Sequence, residues 1–229
     1  MIGNDGTGDS DAEPSPAQTF LFADLAGFTA LTEAHGDDRA ADLAEDFFDR
    51  LGSIAGRHGA EVVKTIGDAV LIRSPRADAA IAIGLEAMDE LSGITEYPMV
   101  RIGMHTGSAV ERSGDWFGST LNVAARVSAI AGGGQMLVTD ATRRAAGYVN
   151  GVRFDAFGEH RARNVRERVT LFLVRPLETF EGASHIDPVC RMTIIDGRAA
   201  GSLGYEGQTF HFCSLACAET FAADPGAFA

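Results

Sequence analysis

The chain has 229 residues, 45% of them hydrophobic and 22% charged, with a formal net charge of -13 at neutral pH. That length accommodates one domain with a sizeable core plus a small second unit, and no apolar run approaches the roughly 18 to 20 residues a bilayer span needs. The acidic excess argues against a protein that tracks along nucleic acid, whose affinity comes from basic side chains on phosphates. Phosphate chemistry in such a chain has to be local, with cations standing between carboxylates and phosphates.

Residues 1–17 are rich in Gly, Asp, Ser, Pro and Ala. They lack the basic start and apolar stretch of a secretory signal and cannot bury enough surface to offset ordering entropy, so a flexible tail and a cytoplasmic location are expected. The apolar run 19–24 predicts a strand that ends on Asp24, with Gly27 just beyond. Across 37–58, Leu43, Phe47, Leu51, Ile54 and His58 recur at helical spacing, and Gly59 is a stop signal. Two short runs, 61–65 and 69–72, flank Ile66-Gly67-Asp68 and predict a hairpin whose turn presents Asp68. A helix over about 78–91 carries Ile81, Leu85, Met88 and Leu91 on one stripe, and a strand over 100–105 follows. Residues 120–130 read as a helix closed by three glycines, 135–139 as a strand, and a short helix runs to Ala146. Strands near 152–157 and 169–174 complete the unit. Helices and strands alternate while hairpins demand antiparallel pairing, so an α+β fold with one mixed sheet covered by helices is expected.

Asp24 at a strand end and Asp68 in a turn are placed where carboxylates sit at a sheet edge. Two such groups brought together repel unless a cation intervenes, and hard oxygen ligands favour magnesium or manganese bridged to phosphate. On position alone, solvated caps are the commoner role for such aspartates. Asn122 and Arg126 are four apart on one helix face, where an amide can hold a ribose and a guanidinium a phosphate, although on spacing alone a solvated helix surface is the commoner explanation.

Four stretches in order carry a resemblance that changes this balance: Phe22-Ala23-Asp24-Leu25-Ala26-Gly27-Phe28-Thr29, Lys64-Thr65-Ile66-Gly67-Asp68, Arg101-Ile102-Gly103-Met104-His105-Thr106-Gly107, and Asp115-Trp116-Phe117-Gly118 running into Asn122-Val123-Ala124-Ala125-Arg126. Residues 18–176 resemble a class III nucleotidyl cyclase catalytic domain, which implies a ferredoxin-like cyclase fold. The resemblance implies that Asp24 and Asp68 hold two divalent cations, magnesium or manganese, that Asn122 orients the ribose and that Arg126 stabilises the α-phosphate. It also places Arg163, in Arg163-Asn164-Val165, near the phosphates. Lys64 and Asp115 fall at the base-reading positions. A lysine can donate to adenine N1 and a carboxylate accept from the N6 amino group, whereas guanine presents the reverse, so ATP is the expected substrate. In this family the metal aspartates come from one subunit and the other contacts from its partner. A chain holding both sets therefore implies a homodimer, with no nucleic-acid or membrane partner.

The cysteines, Cys190, Cys213 and Cys217, all lie in the last 40 residues. In a presumed cytosolic chain, thiols at short spacing read as metal-binding or redox-active sooner than as a disulfide framework. Residues 187–229 resemble a YHS domain through Asp187-Pro188-Val189-Cys190-Arg191-Met192, Tyr205-Glu206-Gly207, Phe210-His211-Phe212-Cys213-Ser214 with Cys217, and Phe221 before Asp224-Pro225. Arg191 stands where that family usually has glycine. Residues 177–186 are read as a linker. So small a module needs a metal, docking or self-association to fold. Cys190, Cys213, Cys217 and His211 make a candidate set for zinc or copper, the other reading being small hydrophobes in a mini-core. A catalytically silent cyclase-like module attached to a metal-binding YHS domain is the alternative to an active enzyme.

Overall fold

The computed structural model describes residues 16–161, 168–177, 184–195 and 197–229. Strand β1 (Gln18–Leu25) is followed by a short helix α1 (Phe28–His35), the long α2 (Asp37–Arg57), the hairpin of β2 (Glu61–Ile66) and β3 (Ala69–Ser74), and α3 (Ala77–Ser92). Then come the two-residue strand β4 (Tyr97–Pro98), β5 (Val100–Gly107), a small hairpin of β6 (Val110–Arg112) and β7 (Asp115–Phe117), and α4 (Ser119–Ile130). The unit closes with β8 (Met136–Thr139), α5 (Asp140–Ala146), β9 (Val152–Arg161) and β10 (Arg168–Pro176). A second unit follows: β11 (Ser184–Ile186), β12 (Met192–Ile195), β13 (Gly201–Tyr205), β14 (Gln208–Phe212) and α6 (Leu215–Ala223). Among the described residues no helix is long and apolar enough to cross a membrane.

The main sheet has seven strands in the order β2-β3-β1-β5-β8-β10-β9. It is mixed, because β5 and β8 run parallel while the other described pairings are antiparallel. Strand alternation splits β1 between two cores. Leu21, Ala23 and Leu25 pack with Leu43, Phe47, Leu51 and Ile54 of α2 and with Ile81 and Leu91 of α3. Phe20 and Phe22 instead meet Leu121 and Ala124 of α4 on the opposite face. The helical stripe expected across 37–58 is therefore the core face of α2, except that His58 ends the helix and bonds to Glu86 Oε2 at 2.5 Å.

Closeness between α4 and the sheet depends on Gly103 of β5. A methyl group there would sit 1.9 Å from the backbone nitrogen of Ser128, so only glycine lets the helix lie this near the strand. Helix α1 and the β6–β7 hairpin were not anticipated, since eight and three residues are too short to display a period.

The C-terminal unit is docked on the first one. Strand β12 pairs with β4, Thr193 opposite Tyr97 and Met192 opposite Pro98, and β11-β12-β4 form one small sheet. Val189, Cys190, Met192, Phe212, Cys217 and Phe221 join the same continuous core as α2 and α3. A module too small to bury enough apolar surface by itself thus borrows its neighbour's core.

Candidate active site

Asp24 is the last site-bearing position of β1, on the face that α4 covers further along. Its cross-strand partners are Ala69 on β3 and Arg101 on β5. Ile66 pairs with Ala69 around a two-residue turn whose first residue is Gly67 at φ 62°, the positive φ that a tight hairpin of this kind requires. The turn's second residue, Asp68, is thereby delivered next to Asp24. Burial, followed by hydrogen bonding and charge from Asp24, raises the Asp68 pKa to about 6. Arg101 answers from the other side: its Nε donates to Asp24 Oδ2 at 2.6 Å and its Nη2 donates to the same oxygen. Sequence reading assigned Arg101 no role, because nothing in the linear order reveals that it stands opposite Asp24.

Lys64 reaches the same face through a bulge. Val62 pairs with Ile72, which belongs to the α2–α3 core, and simple alternation would send Lys64 to that side too. A register shift between Val62 and Lys64 pairs Lys64 with Leu71, whose side chain belongs to the α4 face, the re-aiming that a bulge accomplishes. Across the site, Ser113 and Gly114 both have positive φ in the β6–β7 turn, so Asp115 begins the returning strand opposite Arg112. Lys64 Nζ donates to both carboxylate oxygens of Asp115 at 2.7 Å. That contact, helped by the Trp116 backbone N–H, lowers the Asp115 pKa.

Helix α4 turns Leu121, Ala124 and Val127 inward and leaves Asn122 exposed, with Arg126 half-buried one turn on. Neither side chain has a hydrogen-bond or ion-pair partner among the described residues. Arg163 lies outside the described residues. Exposed apolar side chains gather on the two hairpins: Ile66 beside the Asp68 turn, and Val110 and Phe117 paired across β6–β7, each about half exposed. A cleft of about 580 Å³ opens where α3, β10 and the C-terminal unit meet, and none of Asp24, Lys64, Asp68, Asp115, Asn122 and Arg126 lines it.

The three cysteines converge in the second unit. Cys190 and Cys213 sulfurs are 3.3 Å apart and Cys213 and Cys217 sulfurs 3.9 Å, all three thiols being free. The hydrogen-bonded cluster favours the thiolate at Cys217, while its neighbours' sulfurs and burial hold Cys213 protonated. The histidine that joins them is His35, the last residue of α1, and not His211. His211 stacks on His185 with ring centroids 3.7 Å apart. Sequence reading looked for the fourth ligand within the module because docking against α1 cannot be seen in the linear order.

A family model described as the adenylate and guanylate cyclase catalytic domain matches residues 11–175, and the YHS domain model matches residues 185–229. The chain belongs to the class III nucleotidyl cyclases and carries a C-terminal YHS domain. Cyclase domains of this class dimerise, bind nucleotide and use divalent metals. A pH-sensitive adenylate cyclase of Mycobacterium tuberculosis is 37% identical over 171 residues, covering 72% of this chain and 42% of that protein. An adenylate cyclase of Streptomyces griseus is 36% identical over 120 residues, 52% of this chain and 30% of that protein. The chain thus spans less than half the length of these curated relatives. Among solved structures, an adenylate cyclase of Trypanosoma brucei in its monomeric state superposes with a TM-score of 0.67 at 23% identity, covering 80% of this chain and 95% of that one.

Proposed function

We propose that this chain is an adenylate cyclase that converts ATP to 3′,5′-cyclic AMP and pyrophosphate at sites shared by two copies of itself. The observation that carries this reading is the joint placement of Asp24 beside Asp68 and of Lys64 against Asp115. The carboxyl pair fits hard divalent cations: its members crowd each other, and Asp68 keeps its proton up to about pH 6, a mutual cost that a cation removes. Magnesium or manganese bound there would activate the ribose 3′-hydroxyl and neutralise the phosphates.

The chain's own residues supply recognition and charge stabilisation. Asn122 holds the ribose and Arg126 takes the negative charge that grows on the α-phosphate as its bond to the departing pyrophosphate lengthens. Both side chains are unengaged among the described residues, as groups waiting for a ligand would be. Arg101 holds Asp24 in place from its own strand. Lys64 donates to adenine N1 and Asp115 accepts from N6, and their ion pair keeps both heads in position before the base arrives. Arg163 is assigned to the phosphates by resemblance. The exposed Ile66, Val110 and Phe117 support a second copy as the partner, because burying them would reward association. The placement of the proteins named above among adenylate cyclases supports ATP over GTP.

The direct test is to incubate the purified chain with manganese and either ATP or GTP and identify the product by mass. Cyclic AMP from ATP, with little product from GTP, is expected; no cyclic nucleotide from either, with the fold intact by circular dichroism, sinks the reading. Exchanging the base readers in a Lys64→Glu, Asp115→Cys chain should shift the ratio of kcat/KM values toward GTP by about a hundredfold or more, since a site with mispaired buried polar groups rejects the wrong base strongly. An unchanged ratio places base selection elsewhere.

Acidity should act through Asp68. An acid whose folded pKa lies above its unfolded value of 3.8 binds its proton more tightly when folded. The metal-free fold is therefore favoured below pH 4 relative to above pH 6, and the proton competes with the cation below pH 6. At pH 5 the manganese concentration giving half-maximal activity should be about tenfold higher than at pH 7. A half-maximal concentration that stays flat across that window removes Asp68 as the competing group.

A further inference from the structure

We propose that His35, Cys190, Cys213 and Cys217 form one tetrahedral zinc site in which the cyclase domain donates the histidine, so that the ion fastens the YHS domain to α1. The four ligand atoms all lie within 4.8 Å of one another. Zinc holds sulfur at about 2.3 Å and nitrogen at about 2.0 Å, which puts neighbouring ligand atoms of a tetrahedron about 3.5 to 3.8 Å apart. The separations here are 3.3 and 3.9 Å between sulfurs, and 3.7 and 3.9 Å from His35 Nε2 to Cys213 and Cys217. The site needs only small adjustments to accept the ion. Three cysteines and one histidine are also a closed structural set for zinc, with no open position for chemistry.

The surroundings are built to hold this geometry. Asp187, fully buried, accepts from the backbone N–H of Val189 at 2.8 Å and of Cys190 at 3.3 Å through one oxygen, and from Cys213 N–H at 2.7 Å through the other. One carboxylate thus ties together the two segments that carry Cys190 and Cys213, the outer support that ordered metal sites require. Ser214 caps α6 and accepts from Cys217 N–H at 3.2 Å, which sets the third sulfur on the first turn of that helix. His35 stands at the far end of α1, next to Gly36 at φ 84°.

Helix α1 is eight residues long, too short to be stable by its own hydrogen bonds. The YHS domain grips it at both ends. At its start, Gly27 lies so close to Arg191 that a methyl group would come within 2.9 Å of Arg191 Cγ; Arg191 itself holds a left-handed φ of 63°. At its finish, zinc would bind His35. Because Gly27 follows Asp24 by three residues, the ion also steadies the turn behind Asp24. This second consequence rests on the cyclase reading given above, whereas the metal site does not.

The test uses the full chain. After dialysis against a weak chelator, elemental analysis should find about one zinc per chain, and cobalt(II) in its place should give the visible bands of a four-coordinate thiolate site. A His35→Ala chain should bind zinc at least tenfold more weakly and change the cobalt spectrum, and a His35→Cys chain should restore tight binding by closing a four-sulfur site. Loss of all retention in Cys213→Ser would agree. No zinc retained by the unsubstituted chain, or equal zinc affinity and cobalt spectrum in His35→Ala, overturns the shared site. A preference for copper(I) that His35→Ala leaves unchanged also overturns it, because three thiolates then suffice. In assays at saturating manganese, His35→Ala should lower kcat several-fold; unchanged kcat and KM overturn the steadying of the Asp24 turn. If the chain makes no cyclic nucleotide at all, the metal counts still decide the site.

Discussion

Mixed in equal amounts, a chain carrying Asp24→Asn with Asp68→Asn and a chain carrying Asn122→Ala with Arg126→Ala should recover about a quarter of the unsubstituted activity, although each alone is reduced at least a hundredfold. On the proposed reading, the loss follows from removing either the carboxylates assigned to the cations or the groups assigned to meet charge in the transition state. The fraction follows from symmetry: in an equal mixture about half of the dimers are mixed, and each of these has one intact site of two. Such recovery is possible only if the aspartates of one copy work with the α4 residues of the other. Co-purified mixed dimers that stay inactive would end the shared-site reading, and sedimentation would show whether they formed. Asparagine keeps the size of aspartate, so loss of fold is not the expected cause of inactivity.

Gly103→Ala should cost about 3 kcal/mol or more of stability, since the added carbon meets backbone atoms of Ser128 at 1.9 and 2.4 Å and overpacking against an unyielding neighbour lies at the upper end of such penalties. Either α4 moves off β5 or the strand distorts, and Asn122 and Arg126 ride on α4. Urea unfolding should show a lower midpoint, and activity should fall in the fraction that remains folded. Gly56→Ala is the contrasting substitution. It sits near the end of α2 with no atom within 4 Å of the added carbon, so the better helix propensity of alanine should stabilise by up to about 1 kcal/mol. A Gly103→Ala chain as stable as the unsubstituted one would mean that the α4–β5 approach is looser than described.

Union of the two domains in one core has a consequence for dissection of the protein. Cutting after Pro176 would expose the surface that Val189, Cys190, Met192 and Phe212 cover, and it would unpair β4. Loss of activity on truncation would therefore report lost packing as well as loss of the proposed zinc site, and point substitutions at His35 separate the two.

Local pattern alone determined the helical stripe of α2 and the hairpin with Gly67 at its bend, because periodicity and turn chemistry are properties of neighbours in sequence, while the resemblance of four ordered motifs to a known family pointed to the cyclases. Only the tertiary structure decided which distant groups meet. The β1–β5 register sets Arg101 against Asp24, a bulge at Val63 turns Lys64 toward Asp115, and docking of the YHS domain brings His35, more than 150 positions away in the chain, to the three sulfurs. Register, bulges and docking are settled by what each face buries across the whole fold, and a one-residue slip reverses every side chain on a strand. That is why the sequence could nominate Cys190, Cys213 and Cys217 yet look to His211, while the fold supplied the histidine from another domain.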